Sequence, residues 1–476
     1  MSTFNPAKSI VAATGVRSRS LELANRDVSI RVSPNGYITA LVLNTFFSSF
    51  LYYLEKDVLA ILVFVTGVLL FPALAWTDRI VFDGKSLIRT GFLPRIRARF
   101  NGTRNRIKLS QIEQIETQAL RALKRGGNVF YRYRSTVHGR DLKFAFASGG
   151  EDYRNMVHKL FPLVSENILD NRSIELRDFL AEPKETLLKA EFAKIPSAEV
   201  LENSVDSGLD SISNIKRRRD NRAIGDDDAE KALYLRNLAN ELRLSGYLIQ
   251  ALEAFRRALV LNPKDAWTLY EFARCLHSYA GSERDQKLQK KAFAALRLAE
   301  RKGQNDATFL ERLGESYYQY GDWNRANKTF NRAIEVAEES FRSVRGLAEI
   351  ALRNGKLAHV IHHFGTAYRL AETPALRRWT EAENAYFSRL NSDDEYMELE
   401  VSRVKMLENL DDARKTSLRI ALFGLPVIFF GLIFDEQLLS NLGWAVSSIA
   451  LLIWVGLIVS RSLLSNRIPV ELVEKD

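Results

Sequence analysis

A single cysteine, Cys275, stands in 476 residues. One thiol neither staples a fold nor builds a thiolate metal centre, and its isolation points to a reducing compartment. Cys275 precedes His277 by two positions in a helical pattern, a spacing that sends the two side chains apart, so they do not read as a catalytic pair. Catalytic signatures are missing too. There is no Gly-x-Ser-x-Gly elbow. Gly84, Gly91 and Gly126-Gly127 lack the strand–glycine–helix context of a phosphate-binding loop. His359 and His363 share a helix face, but Val360 follows His359 where a zinc protease needs glutamate, so His359, His362 and His363 read as solvent-facing. The expectation is a protein that is not an enzyme and uses no cofactor or metal. The opening 36 residues also lack the short basic region, apolar core and small-residue cleavage site of a signal peptide.

What is present suits a folded chain of about three domains: 46% hydrophobic and 26% charged residues. The net charge of +10 fits either nucleic acid or an anionic membrane surface, and its distribution decides. Four runs are apolar enough for membrane spans of roughly 17–25 residues: Tyr37–Leu54, Val58–Trp76, Leu418–Phe434 and Leu438–Ser460. The second and fourth carry no charge. The first is diluted by Asn44, Thr45, Ser48 and Ser49, and the third has Arg419 at its edge. The turns within the two pairs are net acidic (Glu55-Lys56-Asp57; Asp435, Glu436). The outer flanks are basic (Arg26, Arg31, Arg79, Lys85; Arg414, Lys415, Arg461, Arg467). By the positive-inside rule both termini and everything between the pairs lie in the cytoplasm.

After the first pair the pattern changes to strands. Ile80-Val81-Phe82 and Leu87-Ile88 flank Asp83-Gly84, a hairpin signal. Val129, Tyr131 and Tyr133 alternate with Phe130, Arg132 and Arg134, a half-exposed strand. Gly126-Gly127 marks a turn, and Leu142–Ala147 resumes the strand pattern. Met156, Val157, Leu160, Phe161 and Val164 then share one helix face. On TDRIVFDGKSLIRTG, IKLSQIEQIE and that late helix, residues 77–168 resemble the bacterial pleckstrin-homology-like domains found beside membrane hairpins. The resemblance implies a fold rather than an activity, and places the chain in a bacterial inner membrane. One departure is a long insert with seven basic residues (Arg89, Arg95, Arg97, Arg99, Arg104, Arg106, Lys108) and no acidic one. It reads as a cationic loop with Phe92, Leu93, Ile96 and Phe100 interleaved, facing anionic headgroups worth about 1 kcal/mol per basic residue. Membrane proximity accounts for the charge, so nucleic acid is not the expected partner.

Residues 169–231 read as a linker. Pro183, Pro196 and several serines break it, with one short helix at Glu185–Lys194 and a solvated basic patch at Lys216–Arg219.

From Ala232 the chain repeats itself at roughly 34 residues. Leu235, Leu238, Ala239, Leu242, Gly246, Ala251, Phe255, Ala258 and Pro263 recur in register as Leu310, Leu313, Gly314, Tyr317, Gly321, Ala326, Phe330 and Ala333, and again as Val344, Leu347, Ala348, Ala351, Gly355, Phe364 and Ala367. A unit starting at Ala266 carries seven extra residues within His277–Lys290, and a degenerate hairpin starts at Ala375. The pattern resembles the tetratricopeptide repeat. That resemblance implies an α-solenoid whose concave face, lined by the first helix of each unit, binds protein. The corresponding residues are Arg236, Asn240, Arg243, Tyr270, Arg274, His277, Glu311, Glu315, Arg345 and Glu349. Their alternating sign suits a partner segment bearing both charges.

The expected fold is therefore mainly α. Its parts are an N-terminal segment (1–36), a membrane hairpin (37–76), a pleckstrin-like β module (77–168), a linker (169–231), the repeats (232–410), a basic connector (411–417), a second hairpin (418–460) and a tail (461–476). The function read from this is a membrane scaffold presenting a protein-binding groove. Alternatives are an accessory subunit of a membrane enzyme or transporter, and a lipid-sensing regulator acting through 89–108.

Overall fold

The computed structural model describes residues 27–32, 34–101, 105–125, 128–140, 142–148, 150–202, 225–465 and 467–468. The chain divides into two compact units. One holds residues up to 33 together with 76–382; the other holds 34–75 and 383–476.

The first unit opens with a strand rather than a tail. β1 (Val28–Arg31) precedes the apolar helices α1 (Asn35–Tyr53) and α2 (Asp57–Thr77), and pairs antiparallel with β2 (Arg79–Phe82) on their far side, Ile30 opposite Ile80. β3 (Ser86–Thr90) follows a tight turn in which Gly84 takes φ +81° and the Asp83 carboxylate accepts from the Lys85 and Ser86 amides at 2.9 and 2.6 Å. The insert expected as a loop contains a helix, α3 (Phe92–Asn101), before β4 (Arg106–Lys108) completes the sheet β1-β2-β3-β4. A second sheet consists of β5 (Ile112–Arg125), β6 (Asn128–Gly139) and β7 (Lys143–Ala147). The expected turn at Gly126-Gly127 lies outside the described residues. Alternation puts Ile80, Phe82, Leu87, Ile107, Ile115, Val137 and Phe146 inside, where α4 (Glu151–Leu160) covers them with Tyr153, Met156, Val157 and Leu160.

The stretch expected to be a linker is structured over much of its length. α5 (Asn171–Phe179) is held by Asp170, whose carboxylate accepts from the Ser173 amide. α6 (Pro183–Phe192), α7 (Ala198–Glu202) and the turn between them pack on the start of the solenoid through Ala190, Leu201 and Ile195 respectively. Lys189 bonds Glu241 at 2.8 Å and the Gln250 amide donates to the Pro196 carbonyl at 3.1 Å. These helices cap apolar surface that a first repeat would otherwise leave in water. The basic patch Lys216–Arg219 lies outside the described residues.

The solenoid is four helix pairs: α8 (Asp226–Ser245) with α9 (Leu248–Leu261), α10 (Ala266–Glu283) with α11 (Gln286–Lys302), α12 (Ala307–Gln319) with α13 (Trp323–Ala337), and α14 (Phe341–Arg353) with α15 (Leu357–Leu370). Asp265, Asp285, Asp306, Asp322 and Ser340 cap α10 to α14 with their side-chain oxygens, each satisfying amide donors that an open helix end leaves unpaired. Gly246, Gly321 and Gly355 turn the first, third and fourth hairpins at φ +93°, +84° and +69°, the left-handed geometry that glycine adopts without penalty. The second unit's extra residues make no loop. They lengthen its helices to 18 and 17 residues, against 13 and 15 in the third unit, and Arg284 supplies the left-handed cap. Small residues set the packing: a β-carbon on Gly314 or Gly346 would lie 2.6 or 2.5 Å from the Phe330 ring.

α16 (Pro374–Ser392) leads into α17 (Asp394–Ile433), 40 residues without a break, so no connector separates the repeats from the apolar segment. α18 (Gln437–Leu464) returns antiparallel to it. In this second unit the polar groups that dilute the first apolar run are satisfied within its hairpin: Asn44 donates to the Val63 carbonyl at 3.1 Å and Ser48 to Ala60 at 2.6 Å. α17 and α18 meet at Gly424 and Gly443, where a β-carbon on either would lie about 3 Å from the other's carbonyl oxygen. Among the described residues two helices are long and apolar enough to cross a membrane, α2 and Gln437–Arg461 of α18, with mean hydropathies of 2.7 and 2.3; only 17% and 22% of these windows is buried.

Candidate functional site

The concave face of the solenoid is the expected site, and much of it is occupied by this chain itself. The segment before α5 runs beside β5: Leu169 bridges Ile115, and the Asp170 amide donates to the Ile115 carbonyl at 3.1 Å. Thr117 of β5 shares hydroxyl hydrogen bonds of 2.8 Å with Ser173 and Ser135. So anchored, α5 directs Glu175 between the first helices of the first two repeats. There it pairs with Arg243 at 3.1 Å and with Arg274. Burial pulls the Arg274 guanidinium down to about 10, which still leaves it charged at neutral pH.

The groove residues predicted from sequence therefore have different fates. Arg236 spends its guanidinium on a bidentate 2.7 Å contact with Glu271, and Asn240 donates to the same carboxylate. Asn240, Arg243, Tyr270 and Arg274 are all buried. Tyr270 donates to the Arg312 carbonyl at 3.0 Å. His277 lies flat on Tyr320, ring centres 3.9 Å apart. The four buried side chains do not line an open groove, and half-buried Arg236 and His277 are engaged within the chain: desolvated charges must find partners inside the protein, and here the chain provides them. Charge reversal at Arg236 or Arg274 would break these internal pairs.

The third and fourth repeats keep open space. Arg342 donates to the Glu166 and Leu169 carbonyls at 2.7 and 3.0 Å and to Glu315 at 2.7 Å, pinning the segment ahead of α5. Ser340 donates to Glu311 at 2.6 Å. Beyond them lies a cavity of about 340 Å³, walled by Glu116, Gln118 and Asp170 from the β module side and Glu315, Arg345 and Glu349 from the repeats. Arg345 bonds Glu349 at 3.2 Å and sits 5.0 Å from the Trp379 ring centre. Burial raises the pKa values of Glu349, Glu311 and Asp170 above the ordinary carboxylate range, with Arg345 opposing the shift at Glu349.

A contact that sequence reasoning missed fixes the β module on the first repeat. The Val129 amide donates to the Gly246 carbonyl at 3.0 Å and the Tyr133 hydroxyl to the Leu244 carbonyl at 2.7 Å. The alternating Val129, Tyr131 and Tyr133 signalled a packed strand face, but not the helical turn against which it packs. On the neighbouring strand Arg121, paired with Tyr131, reaches the Gly281 carbonyl at 2.9 Å.

The seven basic residues of the insert do not act as one loop. Arg89 makes a bidentate contact with buried Asp78 at 3.0 and 2.6 Å. Arg106 donates to Ser86 at 2.8 Å and to Asp83 at 3.3 Å. Arg95, Arg99 and Lys108 are exposed. Arg104 and the Arg97 side chain lie outside the described residues. Among the described residues no group of three or more His, Cys, Asp or Glu side chains could hold a metal ion.

No protein-family model and no curated protein matches the chain. Among solved structures, MamA is 18% identical over 35% of this chain and 91% of its own, with a TM-score of 0.25. TTC0263, a thermophilic TPR protein of Thermus thermophilus, is 16% identical over 42% of this chain and 97% of its own, at 0.27. The first TPR of Spaghetti, bound to an HSP90 peptide, is 17% identical over 27% of this chain and 95% of its own, at 0.23. These likenesses are partial and shallow; the tetratricopeptide-like architecture of the solenoid stands on its own helices, turns and packing.

Proposed function

We propose that this chain is a membrane-anchored adaptor rather than an enzyme. In this reading its repeats clasp the β module of the same chain and receive an extended segment of a protein partner in the space left between them. The observation that carries the reading is the cavity whose walls come from both modules. Its lining of carboxylates and arginines suits a peptide with side chains of both signs, basic ones facing Glu116 and Asp170. Anchoring is supported by the two long apolar helices, exposed along most of their length, and by the basic flanks, which favour cytoplasmic termini and a cytoplasmic central region at a bacterial inner membrane. Holding the site close to a bilayer raises the effective concentration of partners that live there.

A photo-crosslinking residue at exposed Gln118, in full-length protein in its native membrane, tests the site. One discrete adduct with a partner protein is expected, lost on Arg345→Gln in protein that still unfolds cooperatively. Absence of any adduct, or one indifferent to Arg345→Gln, rejects the cavity as the binding site.

A further inference from the structure

α3 wears its apolar residues on the outside. Phe92, Leu93 and Ile96 are 60%, 47% and 39% exposed, and at 3.6 residues per turn they fall within one sector about 100° wide. Exposed Arg95 and Arg99 border that sector. The opposite side holds buried Pro94 and half-buried Ala98. Pro94 also accepts a hydrogen bond from Asn105 through its carbonyl. The helix is thus seated by its back, and its apolar stripe meets no partner among the described residues.

Its location says what covers the stripe. α3 starts where α2 ends: a β-carbon on Gly91 would lie 3.1 Å from the Asp78 α-carbon and 3.2 Å from the Thr77 carbonyl oxygen. Arg89 clamps the same junction through Asp78. Beside it Trp76 is 63% exposed, with the Arg31 guanidinium 4.1 Å from its ring centre. Tryptophan and arginine at the end of an apolar helix mark the membrane–water boundary. An apolar stripe bordered by arginines at that level fits a helix lying in the plane of the bilayer, its apolar side chains sunk among the acyl chains and its guanidinium groups among the headgroups.

We infer that α3 is an in-plane helix inserted into the anionic surface of the membrane. The inference rests on α2 crossing the bilayer, and it replaces the notion of a cationic loop with a helix seated at fixed depth. It also gives the cations separate duties: Arg89 and Arg106 hold the fold, while Arg95 and Arg99 face lipid.

The test places a nitroxide at Ile96→Cys in full-length protein, reconstituted in phosphatidylcholine nanodiscs with and without phosphatidylglycerol. Cys275 is fully buried and does not compete for label. Val65→Cys, midway along α2, reports the span, and Leu188→Cys, exposed on α6, reports water. The expected result is that oxygen relaxes the Ile96 label severalfold more than a water-soluble nickel chelate does, at a depth of about 5–10 Å below the headgroups. Arg95→Glu with Arg99→Glu should make that depth shallower only when phosphatidylglycerol is present. A label at Ile96 that behaves like the one at Leu188 overturns the inference and leaves the span intact. Shielding of Ile96 from both reagents overturns it in favour of a protein cover. Water-like behaviour at Val65 removes the span and the inference together.

Discussion

The carboxylate of Glu175 lies 3.1 Å from the guanidinium of Arg243, and both side chains are 3% exposed. Arg274 approaches the same carboxylate from the next repeat. A carboxylate between two arginines in a tetratricopeptide-like groove has the form of a bound ligand, but here it is covalently part of the receptor. Its removal leaves two buried cations uncompensated. Glu175→Ala should therefore destabilise the protein by about 3–5 kcal/mol. Replacing Glu175, Arg243 and Arg274 together with Met, Met and Leu should be neutral or stabilising, because desolvation of all three charges is then avoided. Thermal unfolding in detergent of both variants checks this; a triple variant as weak as the single one contradicts it.

Gly246 carries two constraints at once. Its φ of +93° ends α8, and a β-carbon there would collide with the Val129 carbonyl oxygen. Gly246→Ala should cost at least about 1–3 kcal/mol through backbone strain and should also push β6 off the first repeat. Hydrogen exchange at the Val129 amide should rise in this variant. Retained protection at Val129 with lowered stability would mean that strain alone is felt.

Phe330 is gripped between Gly314 and Gly346, whose α-carbons leave no room for a methyl group against its ring. Gly346→Ala should overpack the third and fourth repeats at a cost of about 1–3 kcal/mol. Phe330→Leu should relieve that cost, giving a favourable coupling of about 0.5–3 kcal/mol in a double-mutant cycle. Additive effects would show that the ring and the glycine do not share space.

His277 titrates against its surroundings. Burial, and then the charge of Arg274, hold its pKa below the usual 6.5. A depressed pKa means that the folded state favours neutral imidazole. The contribution to stability is therefore complete above about pH 6.5 and is lost as pH falls through the lower folded value. His277→Phe keeps a ring against Tyr320 and cannot charge. Its stability relative to the parent should rise as pH falls below 6.5, and a pH-independent difference in unfolding free energy would contradict this.

The helical hairpins were legible because stacked helices impose both a period and a few obligatory small residues. α5 was not, since Asn171, Ser173 and Glu175 bury polar groups through hydrogen bonds and ion pairs, leaving no apolar stripe to find. Read without it, Arg243 and Arg274 look like an open cationic lining, so the residues of the groove were visible while its occupant was not. α3 is hidden for a related reason: Phe92, Leu93 and Ile96 face away from the protein, and a pattern that answers to no core does not announce a helix. β1 offers only Val-Ser-Ile-Arg, and its partner strand lies across two long helices.

That pairing puts the first sheet under temporal control. Ile30 emerges during synthesis well before Ile80, and everything in α1 and α2 must pass between them. A nascent chain halfway through its first hairpin displays β1 as a bare edge with nothing to meet. Only when both helices have gone out and back do the ends return to one place, where Val32 can donate to the Asp78 carbonyl at 3.2 Å. The first sheet thus cannot be completed until both helices have been made, and its closure ties the two ends of that helical hairpin together.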